Sequence, residues 1–236
     1  MCKLALAASL CIIIGMSGFS SGRGIAQKTT DSTSIDALVR KYMENRRASW
    51  RGLNVPDADG QALHDIVLQH NYKNALEIGT STGHSAIWIA WALSKTGGKL
   101  ITIEIDRDAY EEALVNFRET GLARYIDARL ADAHQLVPKL PGPFDFVFCD
   151  ADKDWYSNYL ESVLPKLTVG GCFAAHNVSG GYSSGGRGRS RGGFGRGYGQ
   201  AGDFWEFANS IPSLETKILD IPGSAGLSVS YKKAAK

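Results

Sequence analysis

The sequence has few cysteines, and half of them lie at its amino-terminal end. Cys2 and Cys11 fall within the first 26 residues, which leaves Cys149 and Cys172 for the rest of the chain. These two are predicted on neighbouring strands, one near a carboxyl end and the other near an amino end. At roughly 3.3 Å per residue they would be too far apart to bond. We therefore expect two buried free thiols rather than a disulfide-stabilised fold.

The sequence also has only one long apolar run, which extends from Leu4 to Met16 behind Lys3. Small residues follow it and end in Gly24-Ile25-Ala26. This pattern is typical of a secretory signal peptide at residues 1–26, cleaved after its last alanine. The run is short for a bilayer span, and no second one follows, so the mature chain is expected to lack a transmembrane segment. The prediction is export to the periplasm or the medium, and the alternative is an uncleaved membrane anchor.

Neither sign of charge is in large excess, since the formal net charge is +2. Removing Lys3 and Arg23 with the leader gives 0, and setting aside four further arginines gives −4 for the remainder. Those four are Arg187, Arg189, Arg191 and Arg196. A mildly acidic body argues against nucleic-acid binding by the folded part of the chain.

The four arginines belong to a glycine-rich stretch at residues 178–203. It has too few apolar residues to order itself and is predicted to be a flexible insertion in a domain that covers 27–236. Arg-Gly segments can also bind nucleic acid loosely, through charge and stacking. A third interpretation is a cover over an active site, because the stretch follows the end of a predicted strand.

From Ala75 onward, short apolar runs alternate with helical patterns. The runs predict strands at 75–78, 100–105, 125–130, 144–149, 172–175, 214–221 and 227–231. Helices are predicted at 57–70, 85–93, 109–119 and 155–167, with a first helix around 35–43 capped by Ser32, Thr33 or Ser34. Regular alternation predicts parallel strands with helices on both faces. The turn at 222–224 is too short for a crossover, so the last two strands should form an antiparallel hairpin. The fold class is α/β, with a mostly parallel, Rossmann-like sheet of seven strands.

In an open parallel sheet, ligands bind beyond the carboxyl ends of the strands. The first such end carries Leu76-Glu77-Ile78-Gly79-Thr80-Ser81-Thr82-Gly83-His84-Ser85. Its two glycines would let the backbone pass close to a ligand, and the helix that follows would offer free N–H groups. The alternative is an ordinary tight turn. Glu104 ends the next strand, where a carboxylate typically binds both hydroxyls of a ribose; here the alternative is a surface glutamate.

Charged residues end two further strands. Phe146-Val147-Phe148-Cys149 leads into Asp150-Ala151-Asp152-Lys153, and the strand after it ends in Ala175-His176-Asn177. Asp150, His176 and Asn177 should meet at one edge and could ligate a metal through oxygen and nitrogen. Alternatively, these residues only cap helices and turns.

In their order along the chain, these motifs resemble those of the catechol and caffeoyl-CoA O-methyltransferase family of class I S-adenosylmethionine-dependent enzymes. Two further segments, Leu53 to Gln61 and Gly226 to Lys232, resemble the family's entry segment and last strand. The resemblance covers Leu53 to Lys232 apart from the Arg-Gly stretch. A mostly parallel sheet that ends in an antiparallel hairpin is also typical of methyltransferases rather than dehydrogenases.

The resemblance implies a role for individual residues. S-adenosylmethionine would contact Asn54, Val55, Glu77, Gly79, Ser81 and Ser85 through its methionine part, Glu104 through its ribose, Asp132 at the adenine edge, and Asp150. Lys153 would be the base near the acceptor oxygen, and Asp150, His176 and Asn177 would ligate a divalent metal ion. The family has aspartate where this chain has His176. Imidazole binds Mg²⁺ and Ca²⁺ poorly, so the substitution bears on which metal binds and on whether one is needed.

The implied activity is metal-assisted methyl transfer to a hydroxyl of a small, catechol-like aromatic acceptor, with a homodimer as an open alternative for the assembly. A second hypothesis is an exported, non-catalytic protein that retains the cofactor fold, because His176 and the Arg-Gly insertion both alter the acceptor side. A third is a nicotinamide-dependent dehydrogenase. The missing third glycine after Gly83 and the terminal hairpin argue against it.

Overall fold

The computed structural model describes residues 23–46, 50, 54–178, 201–224 and 226–235. Its helices are α1 (Arg23–Arg46), α2 (Asp57–Gln69), α3 (His84–Thr96), α4 (Arg107–Glu119), α5 (Ala133–Leu136), α6 (Tyr156–Val163) and α7 (Ala201–Ser210). Its strands are β1 (Asn74–Ile78), β2 (Lys99–Glu104), β3 (Ile126–Leu130), β4 (Phe144–Cys149), β5 (Leu167–His176), β6 (Leu214–Leu219) and β7 (Leu227–Lys232). Short 3₁₀ turns connect several of these elements.

The strands form one sheet in the order β3-β2-β1-β4-β5-β7-β6. The first five strands pair in parallel, whereas β7 runs antiparallel to both β5 and β6. The chain changes direction along the sheet between β1 and β4, which is the crevice where open α/β sheets bind ligands. The predicted seven-stranded, mostly parallel sheet with a terminal antiparallel hairpin is confirmed.

Helices cover both faces of the sheet. On one face α1, α2, α3 and α4 enclose an apolar core that includes Phe146, Phe148 and Cys172. On the other face α6 and α7 pack over Val147, Cys149 and Phe173. Because neighbouring residues of a strand point to opposite faces, β4 contributes fully buried side chains to both cores. This explains why the strand reads as a continuous apolar run.

The two cysteines illustrate this alternation. Cys149 and Cys172 are free and buried, on opposite faces of the sheet. Cys172 is paired with Phe146, three residues before Cys149 along β4. The predicted pair of buried free thiols is confirmed, although Cys172 lies in the middle of β5 rather than near its amino end.

Two predicted helices have other bounds in the structure. α1 begins at Arg23, so residues 32–34 lie inside a helix and do not cap it; serine and threonine are tolerated within helices. The helix predicted at 155–167 is a 3₁₀ turn, α6, and a second 3₁₀ turn that contains Pro165, after which β5 begins. Proline ends the regular helix because it lacks an N–H donor.

The predicted insertion at 178–203 is also too wide. Val178 is buried in the core and α7 starts at Ala201, so both ends belong to the fold. Residues 179–200 lie outside the described residues.

Most of the predicted signal peptide, residues 1–22, likewise lies outside the described part of the chain, and the predicted cleavage position after Ala26 falls within α1. Among the residues that are described, no helix is both long and apolar enough to cross a membrane. Export stays a prediction.

The turn after β1 requires its glycines for packing within the protein. Gly79 has φ +94°, and a Cβ there would lie 2.6 Å from the backbone oxygen of Asp150. Gly83 also has φ +94°, and its Cβ would lie 2.6 Å from the ring of Phe117. The sequence predicts that both glycines make room for a ligand. The structure shows that they also let β4 and α4 approach the turn, and their approach to a ligand stays a prediction.

Two alanine substitutions distinguish the cost of a left-handed backbone from the cost of a steric clash with a neighbouring segment. Gly97 has φ +79°, and nothing lies within 4 Å of the position that a methyl group would take, so Gly97→Ala tests the left-handed backbone alone. That change should cost about 1–2 kcal/mol. Gly79→Ala should cost at least about 2 kcal/mol more, because two backbone segments must separate. Urea denaturation of both variants measures the difference, and equal losses would show that the approach of Asp150 is not a constraint.

Candidate active site

The carboxyl ends of β1, β2, β4 and β5 bring together most of the residues singled out from the sequence. Two clusters share this edge. The first surrounds the turn between β1 and α3 and includes Glu77, Ser81 and Glu104. The second surrounds Asp150 and includes Lys153 and His176. The hydrogen bond from Asp150 N to Ile78 O, at 2.9 Å, joins the ends of the two central strands.

In the first cluster, Glu104 is held by three backbone N–H groups. Its Oε2 accepts from Ser81 N at 2.6 Å, and its Oε1 accepts from Ile105 N and Asp106 N, both at 2.9 Å. The side chain is partly exposed at the end of β2. Glu104 is therefore a fixed acceptor at the sheet edge and not a loose surface residue.

Glu77 is completely buried in the same cluster. Its Oε2 accepts a hydrogen bond of 2.5 Å from Thr102 Oγ1, which lies 2.5 Å from Thr80 Oγ1. Its Oε1 has no hydrogen-bond partner among the residues that the structure describes. Burial raises the pKa of Glu77 to about 8, and the negative charges of Asp150 and Glu104 add to the effect. A buried carboxyl with an unsatisfied oxygen is suited to a cationic or hydrogen-bond-donating ligand.

The remaining residues that were predicted to bind the cofactor differ in their environments. Asn54 Oδ1 accepts from Thr82 Oγ1 at 3.1 Å, which ties the segment before α2 to the glycine turn. Ser85 is buried in the first turn of α3. Val55 packs its side chain into the apolar core, so only its backbone can face a ligand. Asp132 uses both oxygens at the start of α5, where it accepts from His134 N and the Gln135 side chain. Its contact with adenine stays a prediction.

In the second cluster, Lys153 lies between two acceptors. Its Nζ donates to Asp150 Oδ1 at 2.7 Å and to the hydroxyl of Tyr156 at 2.5 Å. That hydroxyl in turn donates to the backbone oxygen of His176 at 3.2 Å. Tyr156 is fully buried, and burial raises its pKa well above the ordinary value, so it remains a neutral phenol. Lys153 Nζ is thus fixed at the end of β4.

Asp152, the second carboxylate after β4, belongs elsewhere. Its Oδ2 lies 2.9 Å from His134 Nε2, and its Oδ1 accepts from the hydroxyl of Tyr159 at 2.9 Å. The ring of His134 stacks on Trp155, with centroids 3.7 Å apart. Asp152 therefore holds the side chains of His134 and Tyr159 beside the site.

His176 has carboxylates on both sides. Its Nε2 lies 2.9 Å from Asp59 Oδ2, and its Nδ1 lies 3.3 Å from Asp150 Oδ2 without the alignment of a hydrogen bond. Burial alone would lower the pKa of His176, but the close contacts with Asp150 and Asp59 and the negative charges of both outweigh it and raise the pKa to about 9. The ring is therefore an imidazolium at neutral pH.

This geometry does not support the predicted metal ligands. Both nitrogens of His176 face carboxylates, Asp150 Oδ1 is occupied by Lys153, and Asn177 is exposed with φ 58°. In the described ranges, no group of three or more histidine, cysteine, aspartate and glutamate side chains is placed to hold a metal ion. As arranged here, His176 directs neither ring nitrogen to an open position, so the residues present do not fit a divalent ion.

Sequence reasoning missed two members of this cluster. Asp59 stands out in the sequence only as part of a family-like segment, yet it is completely buried on α2 and is the partner of His176, 117 residues away. The sequence offered one further signal, which is that Asp59 falls on the inner side of the predicted helix. A charged side chain that is buried there requires a partner. Tyr156 carries no signal beyond its position three residues after Lys153.

The comparisons with known proteins agree with this architecture. A family model described as O-methyltransferase matches residues 26–181. The chain belongs to this O-methyltransferase family. The dehydrogenase hypothesis is not supported.

Among curated relatives, a catechol O-methyltransferase of Niastella koreensis is 35% identical over 147 residues, which cover 61% of this chain and 66% of that protein. Caffeoyl-CoA O-methyltransferase 1 of Eucalyptus globulus is 35% identical over 134 residues, which cover 55% of this chain and 54% of that protein. The matched part thus spans about half to just under two thirds of these relatives' length.

Solved structures have the same fold. The O-methyltransferase of Bacillus cereus in complex with SAH matches with a TM-score of 0.67 and 24% identity, over 88% of this chain and 97% of that one. TomG of Streptomyces achromogenes in complex with SAM matches with a TM-score of 0.67 and 23% identity, over 92% and 100%.

The buried carboxyl of Glu77 generates a prediction for stability. Its pKa rises from an ordinary 4.5 to about 8 on folding, so its contribution to stability is fully present below pH 4.5 and is lost as the pH rises through 8. Glu77→Gln should remove this dependence, and the unfolding free energy of the wild type should fall relative to the variant by on the order of 3 kcal/mol between about pH 5 and pH 9.

Urea denaturation at a series of pH values measures this difference. Glu161→Gln, on the exposed side of α6, is the matched control and should retain the wild-type pH dependence. Parallel curves for the wild type and Glu77→Gln would mean that Glu77 is ionised in the folded protein.

Proposed function

We propose that this protein transfers a methyl group from S-adenosylmethionine to a hydroxyl of a small aromatic acceptor. The observation that carries the proposal is the placement of Lys153 Nζ beside Asp150, at the point where β4 meets the glycine turn of β1. A nucleotide-type binding turn and a fixed nitrogen base then share one edge. Family membership supports the reaction class, and the names of the curated relatives, catechol and caffeoyl-CoA O-methyltransferases, support an acceptor with a phenolic hydroxyl.

The first cluster fits the donor. Glu104, oriented by Ser81 N and by the N–H groups that follow it, presents remaining lone pairs to the two hydroxyls of a ribose. Glu77 offers an unsatisfied oxygen to the amino group of the methionine part. S-adenosylmethionine supplies an electrophilic methyl group on a sulfonium. The protein's contribution is to hold donor and acceptor in line, which can supply several kcal/mol of the barrier.

Lys153 supplies the proton acceptor. In its neutral form, Nζ takes the proton of the acceptor hydroxyl while the oxygen's lone pair attacks the methyl carbon. The ammonium that results is the species held by Asp150 Oδ1 and by the hydroxyl of Tyr156. This ion pair stabilises the product of the proton transfer. No step of the proposed reaction requires a metal.

Glu104→Ala should weaken the binding of S-adenosylhomocysteine by about 1.5–3 kcal/mol, the loss expected for hydrogen bonds to a charged partner. Glu104→Gln preserves the shape but replaces one acceptor oxygen with a donor, and it should show most of the same loss. Calorimetric titration measures the dissociation constants, and thermal unfolding shows whether each variant is folded. An unchanged dissociation constant in a folded Glu104→Ala protein would remove this residue from the cofactor site.

Lys153→Met should lower kcat/KM by roughly 10²–10⁴-fold, the range for loss of a positioned general base. The dissociation constant of S-adenosylhomocysteine should stay the same, because Lys153 lies on the acceptor side. Tyr156→Phe keeps Lys153 and its ion pair but removes the hydroxyl that accepts from Nζ and donates to the His176 backbone, so its effect on the rate should be much smaller. Methyl transfer to a panel of phenols and catechols gives the rates. Equal rates in the wild type and Lys153→Met would exclude the base role, and cofactor binding without transfer to any acceptor would favour the non-catalytic hypothesis.

A further inference from the structure

The second cluster contains a cation where the family resemblance implies a metal ion. The ring of His176 lies at the carboxyl end of β5, between Asp59 of α2 and Asp150 after β4. The side chains of His176 and Asp59 are 5% and 0% exposed, and that of Asp150 is 13% exposed. The ring is therefore held by charged partners on both sides within the interior of the protein.

The positions of the two ring nitrogens indicate that His176 is charged. A neutral imidazole has one donor nitrogen and one acceptor nitrogen, whereas the protonated ring has two donors. Here Nε2 lies within hydrogen-bond distance of Asp59 Oδ2, at 2.9 Å, and Nδ1 lies at ion-pair distance from Asp150 Oδ2, at 3.3 Å. A neutral ring would place a lone pair against one of these carboxylates.

The charges of the cluster are balanced when His176 is protonated. Asp59 and Asp150 contribute two negative charges, and His176 and Lys153 contribute two positive charges, so the formal sum is zero. Buried charges must be compensated in this way, because their desolvation is costly. A divalent ion added to this cluster would introduce two positive charges beside two cations and leave them uncompensated.

An aspartate in place of His176 changes this balance. Three carboxylates would then face one ammonium, and the formal sum of −2 would match a divalent cation. Oxygen ligands from carboxylates are also those that Mg²⁺, Mn²⁺ and Ca²⁺ prefer. The difference between His176 and the family's aspartate is therefore a difference between a site that carries its own cation and one that recruits a metal.

We infer that the imidazolium of His176, clamped between Asp59 and Asp150, serves as the resident cation of the acceptor site, and that this protein neither binds nor requires a divalent metal ion there. The part of the inference that concerns catalysis rests on the proposed function. Its consequence for specificity is that the site cannot chelate two adjacent oxygens. An acceptor with a single phenolic hydroxyl should therefore be used about as well as one with two.

The decisive experiment titrates Mn²⁺ into the full-length, chelator-treated protein, with free Mn²⁺ followed by electron paramagnetic resonance. The wild type should show no saturable binding up to about millimolar Mn²⁺, whereas His176→Asp should bind one ion per chain at least about 10-fold more tightly. His176→Gln, which removes the cation without adding a carboxylate, is the matched control and should not acquire the site. One saturable Mn²⁺ ion in the wild type that is lost in His176→Gln would overturn the inference.

The outcome does not depend on how His176→Asp folds, because the titrations of the wild type and of His176→Gln decide the inference together. If thermal unfolding shows that the aspartate variant is unstable, adding Asp59→Asn relieves the carboxylate repulsion while two carboxylates remain at the ends of β4 and β5. This double variant should also gain Mn²⁺ binding. A folded double variant without Mn²⁺ binding would contradict the assignment of these positions as the family's metal site.

Activity provides a second measurement. Methyl transfer to phenol and to catechol is compared with and without chelator, and the wild-type rates should agree within about 2-fold. Loss of activity on chelation, with recovery on addition of a metal, would overturn the inference. If neither acceptor is methylated although S-adenosylhomocysteine binds, the proposed function fails with these acceptors, and the Mn²⁺ titration still decides whether His176 replaces the metal.

Discussion

The structure depends on the close contact between the carboxyl ends of β1 and β4. Asp150 N donates to Ile78 O at 2.9 Å, and the backbone of Asp150 lies so near to Gly79 that a methyl group there would not fit. This contact places the turn that begins with Gly79 directly beside the charged segment that begins with Asp150. Under the proposed function, a donor bound at the turn would lie beside an acceptor bound at this segment.

A second constraint acts across the layers of the fold. α2 carries a completely buried carboxylate, Asp59, into the sheet edge, where it contacts His176. The helix is thereby tied to the end of β5 through a charge, in addition to its apolar packing on α3. On the other side, the hydroxyl of Tyr156 ties the start of α6 to the backbone of His176. The cluster around His176 is therefore held by elements from both faces of the sheet. The charges that surround His176 come from residues that also hold these elements together.

The centre of the sheet was predictable from the sequence because β1 and β4 are buried on both faces and read as apolar runs. The antiparallel hairpin was predictable because the turn between its strands is too short for a crossover. The place of Glu104 at the sheet edge was predictable because it ends an apolar strand. The start of α1 was not predictable from serine and threonine alone, since these residues stop a helix only where the backbone uses them as caps.

Contacts between distant residues were beyond the reach of sequence patterns. The pairing of Asp59 with His176 joins residues 117 positions apart, and a helical pattern does not say which charge an inward-facing aspartate meets. The prediction that Asp150 and His176 lie together at one edge of the sheet is confirmed. The prediction that they ligate a metal ion with Asn177 is not supported. The chemistry of this cluster differs because protonation of an imidazole depends on partners that sequence order does not reveal.

The placement of the two thiols determines how the fold responds to its surroundings. Cys149 and Cys172 point into separate cores on opposite faces of the sheet, and burial raises the pKa of both, that of Cys172 to about 12. Each is therefore a protonated, shielded thiol, and the sheet itself is a barrier between them. A reductant therefore has no disulfide to break within the described fold. Its packing does not rely on an oxidising environment.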